Sequence, residues 1–111
     1  MGKPNTGAAD LATLVVASTL TSVTAGNTIL APTNGAVLNV SVWGTFVGVV
    51  QLERSFDGGA IWSAVSRDIV GSAAQFNVPF SLQIRETEAG VLYRVSCISF
   101  SSGTINYRLS Y

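Results

Sequence analysis

The sequence predicts an all-β protein, a jelly-roll-like antiparallel β-sandwich of about eight strands. Apolar residues recur at every second position in several segments, and turn-forming residues interrupt these segments after roughly eight to twelve residues. No segment repeats its apolar residues with the period of a helix. Ser and Thr supply most of the polar surface, which suits the exposed faces of strands, whereas Lys and Glu would dominate exposed helices.

The length of 111 residues predicts one domain with a single hydrophobic core. Residues 1–10 are rich in Gly, Pro and Asn and show no hydrophobic periodicity, so we expect residues 1–12 to form an N-terminal arm or loop. Residues 13–111 are predicted to form one β-sandwich domain. The arm is then free to lie on a neighbouring molecule.

Eight segments are predicted as strands, because each contains either an apolar alternation or a run of β-branched residues. In order they are 13–23, 28–30, 36–43, 45–54, 60–66, 76–84, 91–100 and 104–111. Leu38, Val40 and Val42 should share the core face of the third segment. Pro79 should make the centre of the sixth segment an edge or a bulge. Residues 101–103 are expected to close a hairpin between the last two segments.

The sharpest local pattern is Ser-x-Asp-x-Gly-x-x-Trp, formed by Ser55, Asp57, Gly59 and Trp62. Aspartate and glycine are the residues that a tight turn between two strands requires. The spacing resembles the Asp-box of sialidase-type propellers, which is a hairpin that supports the fold and lies away from the catalytic centre. A propeller repeats its blades, whereas this chain has one copy and no period of about 40 to 50 residues. We therefore interpret these four residues as a structural turn motif.

Charge composition excludes several classes of partner. The net charge is zero and only 11% of residues are charged, against about 25% in ordinary soluble domains. No basic patch is present to bind phosphates, so nucleic-acid binding is not expected. Residues 11–17, the longest apolar stretch near the N-terminus, are far shorter than the roughly 20 that span a bilayer, so no membrane segment is expected. A signal peptide is not expected either, because the one early cation is Lys3 and turn-forming residues surround it. A neutral surface with few lysines favours assembly with other molecules.

Residues that commonly carry chemistry are scarce. The chain has no histidine, the commonest general base and metal ligand, and one cysteine, Cys97, so an intramolecular disulfide is excluded and no zinc site is expected. The carboxylates have structural explanations, since Asp57 fits its turn, Glu86 and Glu88 fit a solvated loop, and Glu53 fits a strand end. We expect no catalytic residues, no metal and no cofactor, and we interpret the protein as a non-enzyme.

Four residues are candidates for an interface with a partner: Lys3, Arg94, Arg108 and Trp43. Arginine and tryptophan are enriched at protein interfaces, and arginine outnumbers lysine strongly in this chain. The alternatives are intramolecular ion pairs of the arginines with Asp68, Glu53 or Glu86, and a place in the core for Trp43.

Three segments carry a resemblance to a known family. They are residues 44–62 (GTFVGVVQLERSFDGGAIW), 88–95 (EAGVLYRV) and 102–110 (SGTINYRLS). These segments resemble small structural proteins of tailed bacteriophages, and the chain as a whole is similar to their capsid decoration, or stapling, proteins.

The resemblance implies a jelly-roll protein on the outer capsid surface of a virion, made in the host cytoplasm. Its partner would be the major capsid protein of the same phage, and it would form homodimers across local two-fold axes. There it would tie neighbouring capsid subunits together against the pressure of the packaged DNA. The alternatives are a carbohydrate-binding β-sandwich of a phage tail or secreted protein, which would stack sugars on Trp43, Trp62 or Tyr93, and a tail or neck adaptor.

Overall fold

A computed structural model describes residues 14–33, 35–66 and 73–111, and every strand in it belongs to one of two antiparallel sheets. The all-β prediction is confirmed. The described residues form nine strands: β1 (Val15–Leu20), β2 (Ile29–Leu30), β3 (Leu38–Trp43), β4 (Phe46–Ser55), β5 (Ser63–Ala64), β6 (Gln75–Phe76), β7 (Phe80–Ile84), β8 (Leu92–Gly103) and β9 (Ile105–Ser110). The predicted arm, residues 1–12, lies outside the described residues.

The strand order is that of a jelly roll. One sheet, here called the β9 sheet, has the order β1-β9-β3-β7. The other, the β4 sheet, has the order β2-β8-β4-β5, and the short β6 also pairs with β4. Without β6 there are four strands in each sheet, and the chain passes repeatedly from one sheet to the other. This winding confirms the predicted jelly-roll-like sandwich.

The core lies between the two sheets and is built by alternation along their strands. Leu38, Val40 and Val42 of β3 point inward, as predicted. The other strands contribute in the same way, and the largest fully buried side chains include Tyr93, Tyr107, Leu52, Ile105, Leu109 and Cys97. Because inward and outward residues alternate, this core also determines which side chains form the two outer faces.

Two glycines lie where the chain passes from one sheet to the other. Gly44 separates β3 from β4 and Gly103 ends β8, and both have positive φ angles, 118° and 95°. A Cβ atom on Gly44 would lie 2.5 Å from the carbonyl oxygen of Thr104, and one on Gly103 would lie 2.6 Å from the Cα of Phe46. The amide of Thr104 also donates to the carbonyl of Thr45 at 3.0 Å. The two crossings therefore pack backbone against backbone.

This arrangement corrects the predicted hairpin at residues 101–103. β8 and β9 are consecutive in the chain but do not pair, since β8 lies in the β4 sheet and β9 in the β9 sheet. Two predicted strands are also shorter than expected. Of residues 60–66 only Ser63–Ala64 is strand, and residues 76–84 divide into β6 and β7 around Pro79.

A buried tyrosine links the two sheets at the β2 edge. Tyr107 belongs to β9, and its hydroxyl accepts a hydrogen bond of 2.7 Å from the amide of Asn27, in the segment that runs along β8. Gly26 leaves room for the ring, because a Cβ there would lie 2.7 Å from the Tyr107 Cζ atom. The hydroxyl of Tyr107, the polar end of a core side chain, thus has a hydrogen-bond partner in the backbone amide of Asn27.

The paired crossings predict a large difference between two glycine substitutions. Gly90 has a positive φ of 84° and open space around its Cα, whereas Gly103 has a positive φ and backbone in contact. Gly90→Ala should cost about 1–2 kcal/mol of unfolding free energy, from φ alone. Gly103→Ala should cost at least about 2 kcal/mol more, measured by urea denaturation. Equal losses for the two variants would show that the crossing tolerates a side chain.

Candidate functional site

The outer face of the β9 sheet brings two of the candidate interface residues together. It consists of every second residue of β1, β9, β3 and β7, and we call it the Trp43–Arg108 face. Within these four strands its side chains are Ala, hydroxyl or amide groups apart from Val15, Trp43 and Arg108, and Arg108 is its one charged residue. The face is therefore neutral apart from Arg108, and it contains two residue types that are common at interfaces.

Trp43 lies on this outer face and not in the core. Its side chain is 46% exposed, because inward Leu38, Val40 and Val42 leave Trp43 on the opposite side of β3. The alternative that placed it in the core is therefore wrong. In the β3–β9 register Trp43 lies opposite Asn106, whose side-chain amide donates to the Trp43 carbonyl at 3.4 Å.

Arg108 is a diagonal neighbour of Trp43. It lies opposite Ser41 on β3 and opposite Ala17 on β1, so only small side chains flank it across the sheet. Its guanidinium donates to the Ser110 hydroxyl at 3.0 Å. None of the ion pairs found within residues 14–33, 35–66 and 73–111 involves Arg108. An exposed guanidinium next to an indole can bind a carboxylate and pack on an apolar group at the same time.

Arg94 lies on the opposite side of the molecule and is engaged within the chain. Its Nε donates to Glu53 at 2.8 Å, and its guanidinium carbon lies 4.1 Å from the centre of the Trp62 ring. Glu53 also accepts from Gln51 at 2.7 Å, and Gln51 in turn accepts from Gln75. This is the intramolecular pairing with Glu53 considered above. Lys3, the fourth candidate, lies outside the described residues.

The turn motif forms the network that its residue types predict. The Ser55 hydroxyl donates to Asp57 at 2.7 Å and accepts from the amide of Gly59 at 2.9 Å. Asp57 accepts from the amide of Ile61 at 2.9 Å, and the Trp62 indole donates to the Gly59 carbonyl at 3.0 Å. The backbone bond from Ile61, then the bond from Ser55, lowers the pKa of Asp57 below its usual 3.8. These bonds account for the motif as a structural element.

A buried carboxylate was missed by the sequence analysis. Glu86 was expected in a solvated loop, but its side chain is only 5% exposed and forms an ion pair of 3.1 Å with Arg54. It also accepts from the Tyr93 hydroxyl at 2.8 Å and from the amides of Thr87 and Glu88. No local pattern reveals this, because Arg54 is distant in sequence.

The pKa values of this cluster follow from burial and hydrogen bonding. Burial, followed by the bond to Glu86, raises the pKa of Tyr93 to about 12. For Glu86, burial alone would raise the pKa, but the bonds from Tyr93 and Glu88, together with Arg54, outweigh it and lower the pKa. The phenol therefore stays protonated and the carboxylate ionised near neutral pH. Their role is to hold the chain after β7 against β4 and β8.

The remaining titratable groups of the described residues form no further functional cluster. Within the described ranges, no group of three His, Cys, Asp or Glu residues is placed to hold a metal ion. Cys97 is buried, and burial raises the pKa of its thiol, which suits a packing role. The described part of the chain also contains no helix with the length and hydropathy needed to cross a membrane.

Comparison with known proteins provides no relative: no family model, no curated sequence and no solved structure matches this chain. Functional inference therefore depends on the geometry above and on the resemblance noted in the sequence.

The turn motif predicts a specific loss of stability in acid. Ionised Asp57 has a lowered pKa in the folded state, so its stabilising effect is present above pH 3.8 and is lost as the pH falls through the folded value. Asp57→Asn should therefore destabilise the protein at neutral pH, and its difference from the wild type should shrink in acid. Urea midpoints across this pH range measure the effect. Glu88→Gln, which removes an exposed loop carboxylate, is the control, and a difference for Asp57→Asn that is independent of pH would contradict the prediction.

Proposed function

We propose that this chain is a structural protein of a tailed-phage virion. It binds the outer surface of an icosahedral capsid and staples neighbouring major capsid proteins, which strengthens the shell against the pressure of the packaged DNA. It acts as a homodimer across local two-folds of the shell, without nucleic acid, membrane or cofactor. The resemblance of residues 44–62, 88–95 and 102–110 to phage structural proteins supports this proposal.

The observation that carries the proposal is the Trp43–Arg108 face. A sheet surface with mainly hydroxyl and amide groups can lie on another protein without the cost of desolvating many charges. Trp43, 46% exposed, supplies an apolar anchor, and the neighbouring Arg108 can pair with a capsid carboxylate. Weak contacts of this kind become strong when one dimer bridges two subunits and the symmetry of the shell repeats the contact.

Three carboxylates outside the Trp43–Arg108 face are bonded within the fold, and these bonds support a structural role. Of the four described carboxylates, Glu53, Asp57 and Glu86 are each held in hydrogen bonds or ion pairs that stabilise the fold. A pair of carboxylates for glycoside hydrolysis would have to face a shared cleft, and these three are committed to other contacts. The same contacts stiffen the sandwich, which suits a protein that carries mechanical load.

Co-sedimentation with matched capsids that lack this protein tests the proposal. We expect saturable binding with at most one copy per major capsid subunit. Trp43→Ala and Arg108→Ala should each weaken binding by about tenfold or more, the effect typical of a central interface residue. Phe56→Ala is the matched control, since Phe56 is 50% exposed but lies beside the turn motif.

Two outcomes would contradict the proposal. Absence of binding to shells, with the protein located on tails instead, would favour a tail or neck adaptor. Loss of binding in Phe56→Ala, with binding intact in the two other variants, would show that the capsid contact lies at the turn end of the β4 sheet and not on the Trp43–Arg108 face.

One observation also favours the second candidate, a carbohydrate-binding module. Trp43 is exposed, and Asn106 and Arg108 lie beside it, which places polar donors around an aromatic surface. Sugar rings stack on such a surface while their hydroxyls accept hydrogen bonds. Trp62 is less suitable, since the Arg94 guanidinium covers its ring.

Tryptophan fluorescence distinguishes the two candidates. If the face binds glycans, titration with host surface polysaccharide should change the emission of the wild type saturably. The change should disappear in Trp43→Phe and persist in Trp62→Phe. A spectrum that no glycan alters, together with saturable capsid binding, would remove this candidate.

A further inference from the structure

Among the described residues, strand β1 has one edge without a partner strand, and its backbone groups are regularly spaced. Within the described part of the chain it pairs only with β9, over six residues and without a register shift. Leu14 and Tyr111 exchange both of their backbone hydrogen bonds, at 2.8 and 3.1 Å. Because such pairs alternate along antiparallel strands, Val16, Ser18 and Leu20 also bond to β9. The N–H and C=O groups of Val15, Ala17 and Thr19 therefore point away from the sheet.

The other described edge strands are very short or begin beside a proline, whereas β1 is six residues long and has neither feature. β2, β5 and β6 are each two residues long, which is too short to template another strand. β7 is five residues long and begins directly after Pro79, which cannot donate a ladder hydrogen bond. β1 has the sequence VVASTL, with no charge, proline or glycine. It lacks the usual devices that prevent pairing with another chain.

We propose that β1 pairs with β1 of a second copy, antiparallel, across a two-fold axis that passes beside Ala17. Ala17 would then face Ala17 of the second copy, and Val15 would face Thr19 of the second copy. All the outward N–H and C=O groups of these three residues gain partners in this register. The two β9 sheets join into one continuous sheet of eight strands, and the two Trp43–Arg108 faces lie side by side.

A second copy fits this edge because the edge is complementary to itself. Its side chains are neutral, so the two-fold places no like charges opposite each other. The two Arg108 residues, each beside an Ala17, would lie about three strand spacings apart, roughly 14 Å. This exceeds the screening length of about 8 Å at physiological salt, so their repulsion is weak. Pairing also covers Val15, which is 44% exposed.

The inference rests on the dimer included in the proposed function, and it assigns the interface of that dimer. The two proposals can fail separately, because the interface is tested on purified protein without capsids. A monomer in solution would refute the β1 interface, whereas a β1 dimer that ignores capsids would refute the stapling role.

Cysteine cross-linking tests the register. Opposed residues of a hydrogen-bonded pair have Cα atoms about 5.5 Å apart, a separation that a disulfide can span. Ala17→Cys should form covalent dimers under mild oxidation. Thr19→Cys alone should not, since two Thr19 residues would lie about 13 Å apart along the strands. A mixture of Thr19→Cys and Val15→Cys should cross-link again. The native Cys97 is buried and does not interfere.

Sedimentation velocity tests the interface independently of any disulfide. The wild type should sediment as a dimer, and Ala17→Lys should shift it to monomer, since two ammonium groups would meet at the axis. Circular dichroism should show the same fold in both, because Ala17 is exposed. A monomeric wild type, a dimeric Ala17→Lys variant, or equal cross-linking of Thr19→Cys alone would overturn the proposal.

Discussion

The close approach of two backbone crossings is the constraint on which the rest of the structure depends. At Gly44 and Gly103 the chain passes from one sheet to the other, and each crossing occupies the space where the other would carry a Cβ atom. This contact brings β3 and β9 into one sheet and β4 and β8 into the other. Once these four strands are in place, alternation decides which residues are buried and which form the outer faces.

Most of the charge in the described residues is used inside the fold. The ion pair of Arg94 with Glu53 joins β8 to β4, and the pair of Arg54 with Glu86 joins β4 to the chain after β7. Each pair joins a largely buried carboxylate to a partly exposed guanidinium, so removing the arginine would leave a carboxylate that is costly to bury. They therefore act mainly to specify one arrangement of the loops around β4 and β8. Arg108 remains as the charged residue of an otherwise neutral face.

The neutral face and the unprotected edge have related consequences. A solitary protein commonly protects sheet edges with lysine and separates its copies by net charge. This chain has neither a charge on β1 nor a net charge. Both features are disadvantages for an isolated monomer and advantages for a protein that works in a symmetric assembly. The proposed dimer and the proposed capsid contact would use adjacent parts of the same sheet.

The sequence by itself determined the features that depend on neighbouring residues. Alternation identified the inward residues of β3, and the spacing of Ser55, Asp57, Gly59 and Trp62 identified a turn whose bonds are all local. Only the tertiary structure decided which sheet each strand joins, because a crossing at Gly103 has the same residue types as a hairpin turn. It likewise decided that Glu86 is buried. Glu86 depends on Arg54, 32 residues away, and no local pattern encodes a contact over that separation.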